Sequence, residues 1–198
     1  MNTIPSNNDY PHAVWWTYSE DKVEYQYNPT ACLAGFFLRY GDQGNDFYAT
    51  AFQIAQEAFE FWLSRMPYTE QHVTACFIRL YEYCVEAGIE IGDMVQFRQK
   101  LREQVRYELT SVADLWGSEY VCMPSDLIDT KNSFYYDEIR ELIQRECARI
   151  CTNQLEDGSY DIPWQWWNDY KEFEIAKNWW KSNFCIKYMV FLREFGNQ

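Results

Sequence analysis

The first stretch of this sequence that could do chemistry lies near its N-terminus, where Asp9, His12, Trp15 and Trp16 stand within eight residues of one another. A histidine titrates near neutral pH, and beside a carboxylate it can act as a general acid or base. Two indole rings can supply the stacking wall of a ligand site. The stretch therefore offers His12 and Asp9 as candidate catalytic residues, and Trp15 and Trp16 as candidate substrate-binding residues. The alternative is a segment held to the body of the protein by its rings, with His12 hydrogen-bonded to a backbone carbonyl.

A second such stretch lies between residues 154 and 167, where acids and tryptophans share a loop punctuated by glycine and proline. Asp157 and Asp161 form a carboxylate pair of the kind that glycoside hydrolysis requires. In a chain with thirty acidic residues such a pair is also expected by chance, in loop turns and on solvated surfaces. Trp164 and Trp167 are candidate substrate-binding residues, together with Tyr27 from the aromatic N-terminal part of the chain.

Metal chemistry has one candidate pair in the sequence. His72 and Cys76 are four residues apart, so both would lie on one face of a helix, and zinc accepts both ligand types. A third and a fourth ligand are not evident, and the alternative is a packed helix with a buried free thiol. We therefore assign no metal ligands, and the sequence requires no particular cofactor.

Composition limits the classes of protein to which this chain can belong. The 198 residues carry a net charge of −13, which disfavours binding to nucleic acid and to anionic membrane surfaces. The seven cysteines are odd in number and lack a C-x-x-C pair, which is typical of free thiols in a reducing compartment. No apolar stretch approaches the roughly 20 residues that span a bilayer, and the N-terminus lacks the features of a signal peptide. We expect a soluble, cytoplasmic protein.

The hydrophobic pattern predicts an all-α protein. Apolar residues recur at helical spacing along most of the chain, and almost no stretch alternates with the period of two that strands require. The aromatic share of 19% is high, which suits an aromatic-lined cavity or a core built from rings. We expect a single domain over residues 1–198, with an irregular aromatic segment at 1–27 packed on the body and antiparallel helix pairs in two layers at 28–198.

The first predicted helix has a pattern of its own. Asn28 is a typical N-cap, Pro29 suits the first helical position, and the run at 31–38 is apolar on every side, as in a helix that is buried all round. Gly41 stands where a left-handed cap would end this helix. A polar stretch at 181–183 could interrupt the last helix. The amphipathic helices that follow the first one are predicted at about 45–65, 69–87, 93–109, 134–154 and 171–195.

The stretch Gln154-Leu-Glu-Asp-Gly158-Ser-Tyr160 resembles the Q-x-x-x-G-x-W repeat of the terpenoid cyclase and protein prenyltransferase superfamily (squalene-hopene cyclase-like proteins), with Tyr160 in the tryptophan position. The stretch at 28–41 is similar to the inner-layer helices of that superfamily's double ring. The resemblance implies an α/α toroid, and a partial or shortened one because the chain has room for about three or four helix pairs. It also implies a structural role for Gln154, Gly158 and Tyr160, with Gln154 capping a neighbouring helix, and both aromatic stretches at one rim.

The superfamily's catalytic motifs are missing from this chain. There is no Asp-x-Asp-Asp acid, and the nearest string to an Asp-Asp-x-x-Asp metal site is Asp126-Leu-Ile-Asp129, where helix capping is the favoured role. The resemblance thus implies a protein that binds an apolar, isoprenoid-like molecule in an aromatic-lined cavity, with catalysis unproven. The alternative is a non-catalytic helical scaffold that closes its ring against a partner, either as a homo-oligomer or with another protein. A glycan-acting α/α-barrel enzyme is a third hypothesis.

Overall fold

The computed structural model of the protein describes residues 3–21, 26–65, 67, 69–116 and 118–196. Within these residues the chain is all-helical and forms no strand, as predicted, and an isolated bridge joins Trp116 to Glu119. Three short 3-10 turns span Pro5–Asp9, Val14–Trp16 and Ala113–Leu115. The α-helices are α1 (Thr30–Tyr40), α2 (Asp46–Ser64), α3 (Gln71–Ala87), α4 (Met94–Ser111), α5 (Pro124–Leu127), α6 (Tyr136–Thr152) and α7 (Phe173–Phe195).

The chain divides into two compact units. The first unit is formed by Tyr25–Val112 and contains α1 to α4, and the second combines Asn2–Glu24 with Ala113–Gln198 and contains α5 to α7. The expectation of one domain over residues 1–198 is not decided by this division and stays a prediction, as does the toroidal arrangement of the helices.

In the first unit α1 lies directly against α3. A Cβ atom on Gly35 would stand only 3.0 Å from the Cα of Leu80, so the two backbones approach as closely as a glycine allows. Further along, the Arg39 guanidinium pairs with the Glu86 carboxylate at 3.1 Å. Because residues later in α1 meet residues later in α3, the two helices run in the same direction.

The core of the first unit is aromatic and is completed by α4. Phe97, Leu101, Val105 and Leu109 recur every four residues along α4 and are all fully buried, as their spacing predicts. Phe97 packs edge-on against neighbouring rings from α2 and α3. These ring pairs are Phe59–Phe97, with centroids 5.5 Å apart, and Tyr81–Phe97, with centroids 5.6 Å apart.

Three helix ends in this unit agree with the sequence. The side chain of Asn45 accepts the Phe47 N–H at the start of α2, and that of Asp93 accepts two N–H groups at the start of α4. Gly88 ends α3 in the left-handed conformation, with φ +67°. For α3 the cap is Glu70, whose carboxylate accepts the His72 N–H.

The predictions for α1 need correction. Pro29 and not Asn28 is its N-cap, since α1 begins at Thr30; the Asn28–Pro29 peptide bond is cis. Gly41 ends the helix with φ −76° and ψ 160°, which is extended backbone and not a left-handed cap. The helix is also not buried all round. Its buried face is Ala31, Ala34, Gly35 and Leu38, whereas Leu33, Phe36 and Tyr40 are exposed.

The second unit packs α6 and α7 together with the short α5. The buried residues of α6 are Ile139, Ile143, Glu146, Cys147 and Ile150; Leu142, which the pattern also places inward, is half-buried. Helix α7 is continuous through 181–183, so the polar stretch there does not interrupt it. Its buried side chains are Ala176, Phe184, Tyr188, Phe191 and Phe195. Within the described part of the chain, no helix combines the length and the apolar character that crossing a membrane requires.

Candidate functional site

The two aromatic stretches singled out in the sequence lie side by side in the second unit. The Val14 N–H donates to the Trp166 carbonyl at 3.2 Å, and the Asn168 side chain donates to the His12 carbonyl at 2.6 Å. The His12 and Tyr170 rings lie 5.9 Å apart. The N-terminal segment therefore packs on the body of its own unit, as predicted; residues 1–2 and 22–25 of this segment lie outside the described residues.

His12 uses both ring nitrogens within its own segment. Its Nδ1 lies 2.5 Å from the Tyr10 carbonyl oxygen, and its Nε2 lies 3.2 Å from the Thr17 hydroxyl. Asp9 is exposed, and among the described contacts none joins it to His12. These bonds place His12 in the backbone-bonded arrangement that the sequence offered as the alternative to a general acid or base.

Asp157 and Asp161 are both held as carboxylates. Asp157 accepts the Ser159 N–H and hydroxyl at 2.9 and 2.6 Å, and these bonds lower its pKa. Asp161 pairs with Lys177 at 2.9 Å, which lowers its pKa, and it also accepts the Ile162 N–H. A glycosidase needs one carboxyl group that stays protonated near neutral pH, and the shifts at this pair run in the opposite direction.

The Gln154–Tyr160 motif closes its own loop. Gln154 Nε2 donates to the Gly158 carbonyl at 2.9 Å, so the expected capping of a neighbouring helix by Gln154 is wrong. Gly158 has φ +81°, a conformation that favours glycine. Tyr160 is buried, and its ring packs edge-on to Tyr188 of α7 at 4.8 Å. The motif is thus structural here, since it anchors the loop to α7.

The candidate substrate-binding rings divide between the two units. Trp164 is half-buried in an aromatic cluster with Tyr120, Trp180 and Phe184, at centroid distances of 4.8, 5.4 and 5.6 Å. Tyr27 belongs to the first unit, where its ring lies 5.1 Å from Phe61 and 6.3 Å from Phe77. Trp15, Trp16 and Trp167 are exposed in the second unit, Trp167 by 67% of its surface.

The sequence analysis missed an apolar surface on α7. Five apolar residues of α7 are exposed and lie within an arc of about 100° around the helix axis: Ile175, Trp179, Ile186, Met189 and Val190. Trp179 is exposed by 73%. We call these five residues the α7 stripe. The opposite face of the same helix is the buried one. The signal in the sequence is that α7 has apolar residues on two faces, which one core does not require.

A buried polar network joins α5, α6 and α7. The Glu146 carboxylate is fully buried and accepts the Ser125 N–H at 2.8 Å and the Ser125 hydroxyl at 2.5 Å. Beside it Lys187 pairs with Asp126 at 2.5 Å. Burial raises the pKa of Glu146 to about 7, although the Ser125 hydrogen bonds and the Lys187 charge act to lower it.

A second buried carboxylate lies in the first unit. Glu108 of α4 is 1% exposed and accepts the Thr74 hydroxyl at 2.7 Å and the Gln104 amide at 3.2 Å. Its pKa is raised to about 7, chiefly by burial. Glu146 and Glu108 were missed because acidic residues on helices are usually solvated. The available signal is their position, since each lies seven residues after a core residue, Ile139 and Leu101 respectively.

The metal candidates in the sequence do not form a metal site in the described residues. His72 is exposed, whereas Cys76 is buried with its thiol 3.5 Å from the Asn28 side-chain oxygen. Asp126 accepts the Met123 N–H at 2.9 Å at the start of α5, which is the capping role predicted for it. No group of three or more His, Cys, Asp or Glu side chains in the described part of the chain is arranged to hold a metal ion.

Comparisons of the chain with protein-family models, with curated proteins and with solved structures found no match. The resemblance to the terpenoid cyclase and prenyltransferase superfamily therefore stays a prediction.

Proposed function

We propose that this protein is a helical scaffold subunit that pairs with a second copy of itself through the α7 stripe. The observation that carries the proposal is the stripe, because exposed apolar side chains grouped on one helix face are typical of an interaction surface. Trp179 is the most exposed of its residues, and tryptophan is enriched among the residues that dominate binding energy.

The spacing of the stripe favours a second copy as the partner. Four of its five residues are placed symmetrically about the Ser182–Asn183 pair, so that two α7 helices packed antiparallel would set Ile175 opposite Val190 and Trp179 opposite Ile186. In a two-fold dimer each such pairing occurs twice, which is how a self-complementary surface arises. The stripe spans sixteen residues from Ile175 to Val190, or about 22 Å of helix.

The charges at the ends of α7 obey the same symmetry. In the antiparallel arrangement Glu172 of one copy faces Arg193 of the other, and Lys171 faces Glu194. Both pairings join opposite charges, so the register that aligns the apolar residues also aligns the ion pairs. The chain has a net charge of −13, but the five residues of the stripe carry no charge, so the surface that would meet a second copy adds no repulsion of its own.

The test is the native mass of the purified protein over a range of concentrations. We expect a dimer that dissociates on dilution, and a monomer for Trp179→Ser at concentrations where the parent is dimeric. Val95→Ser is the matched control, because Val95 is also an exposed apolar residue but lies on α4. A parent chain that is monomeric throughout would sink the proposal.

Charge exchange tests the register itself. Arg193→Glu places like charges at two positions of the dimer and should weaken it roughly tenfold, as expected for two exposed pairs. Adding Glu172→Arg to that variant restores opposite charges, so the double variant should recover the parent's dissociation constant. If the double variant dimerises more weakly than Arg193→Glu alone, the antiparallel register is wrong.

The binding of an apolar, isoprenoid-like molecule is a second candidate function, favoured by the aromatic cluster around Trp164. The same native mass measurement separates it from the first, because a bound molecule adds mass to each chain whatever the oligomeric state. Trp164→Leu should then lose the added mass while the helix content is kept. A parent chain without added mass after exposure to farnesol, used as the probe, would count against this candidate.

A further inference from the structure

Two cysteines lie opposite each other where α1 packs on α3. Cys32 of α1 and Cys76 of α3 stand about one turn before Gly35 and Leu80, where the two backbones approach closely. Cys32 is half-buried and Cys76 is buried. The pair therefore lies beside a close contact between the two helices, and Cys32 is partly exposed to solvent.

The thiols share a small polar environment made by the start of α1. Cys32 Sγ lies 3.0 Å from the Pro29 carbonyl oxygen, and Cys76 Sγ lies 3.5 Å from the Asn28 side-chain oxygen. The two thiols are neighbours, since each perturbs the pKa of the other. Both sulfur atoms thus lie at the start of α1, against the adjacent residues 28 and 29.

The environment shifts the pKa values of the two thiols in opposite directions. The neighbouring Cys76 thiol lowers the pKa of Cys32 to about 7, whereas Cys32 and burial raise the pKa of Cys76. Cys32 is also the third residue of α1, where the partial positive charge of the helix N-terminus stabilises a thiolate. Cys32 has the features of an attacking thiol, and Cys76 those of a resolving thiol.

We propose that Cys32 and Cys76 form a reversible disulfide by exchange with small-molecule disulfides such as oxidised glutathione. The Cys32 thiolate attacks one sulfur of the disulfide, which breaks the S–S bond and releases one glutathione thiolate. The Cys76 thiol then loses its proton and attacks the Cys32 sulfur, which forms the protein disulfide and releases the second glutathione. The protein dithiol loses two protons and two electrons, and the small disulfide becomes two thiols.

The bond would tie α1 to α3 directly. It goes beyond the proposed pairing through α7, because both cysteines belong to the first unit and the stripe belongs to the second. Reduced glutathione in excess would reverse the exchange, so the state of the pair would follow the ratio of the two glutathione forms.

The experiment treats the full chain with oxidised glutathione, then measures its intact mass and maps its disulfides without reduction. We expect the loss of two hydrogen atoms and a peptide that links Cys32 to Cys76, both reversed by reduced glutathione. Cys76→Ser should instead keep one glutathione on Cys32, since the resolving thiol is gone. Cys32→Ser should form no such link, and Cys185→Ser, at a cysteine in the second unit, should behave as the parent.

Two outcomes would overturn the proposal. One is a parent chain that retains glutathione on Cys32 with Cys76 present, which would mean that the second thiol does not resolve the adduct. The other is a disulfide that links a different pair, such as Cys147 and Cys151, which are one turn apart on α6. Both readings come from the parent chain, so they do not depend on whether a serine variant folds.

Discussion

Replacing Glu146 by glutamine tests whether the buried network of the second unit holds a carboxyl group whose ionisation destabilises the folded protein. Glutamine keeps the shape of the neutral carboxyl group, and its amide oxygen can still accept the Ser125 N–H that Glu146 accepts at 2.8 Å. What the substitution removes is the ability to ionise. Any difference that depends on pH between the parent and Glu146→Gln therefore reports the titration of Glu146.

The direction of the pKa shift of Glu146 decides whether this group stabilises the folded protein at low or at high pH. The pKa of Glu146 is about 7 in the folded protein against an ordinary value of 4.5, so the folded state binds the proton more tightly than the unfolded state does. The resulting stabilisation is fully present below pH 4.5 and is lost as the pH rises through 7. Between pH 8 and pH 5 the parent should gain about 2.5 kcal/mol from this group, a gain that Glu146→Gln lacks.

The assay is urea denaturation of both proteins at pH 5, 6, 7 and 8. We expect Glu146→Gln to match or exceed the parent's free energy of unfolding at pH 8 and to fall behind it at pH 5. Taking the difference between the two proteins cancels the other groups that titrate in this range, including Glu108, whose pKa is also raised to about 7. A difference that stays constant within about 0.5 kcal/mol from pH 5 to pH 8 would refute the reasoning.

Three further substitutions test the first unit by urea denaturation at one pH. Gly88→Ala should cost about 1 kcal/mol through its φ of +67° alone, because nothing lies within 4 Å of the added Cβ; an unchanged midpoint would contradict the left-handed cap. Asp93→Ala should cost about 1 kcal/mol because α4 loses the acceptor for two N–H groups, and Asp93→Asn should recover most of it. Gly35→Val should cost about 1–3 kcal/mol or more, because its Cβ would press on the Leu80 backbone; a neutral effect would mean that α1 and α3 are less closely packed.

The helices could be predicted from the sequence because their signals are local. Phe97, Leu101, Val105 and Leu109 repeat at a helical period, and Asp93 precedes them as a cap, so every clue to α4 lies within the helix itself. The start of α1 was misassigned by one residue, because Asn28 and Pro29 both suit the first positions of a helix and the pattern does not say which of them is the cap. The exposed face of α1 could not be predicted either, since a run of apolar residues does not indicate which face of the helix packs against the core.

The site was harder to predict because it depends on which residues meet across the fold. His12 and Asp9 are close in sequence, yet the bonds of His12 go to Tyr10 and Thr17. Glu146 and Ser125 are 21 residues apart, and the sequence shows neither that they meet nor that the carboxylate is buried when they do. Spacing along one helix could have flagged Glu146 as an inward residue, but only the packing of α5 against α6 supplies its partner.

The α7 stripe combines both kinds of information. The symmetric spacing of Ile175, Trp179, Ile186 and Val190 can be read from the printed sequence, but it has meaning only if the helix continues through 181–183 and if these residues face outward. The fold supplies both conditions, because Phe184, Tyr188 and Phe191 occupy the opposite face and fill the core of the second unit. One face of α7 thus serves the core, and in the proposed dimer the other face packs against a second copy. An apolar content that is excessive for one core is the expected composition of a helix with two such interfaces.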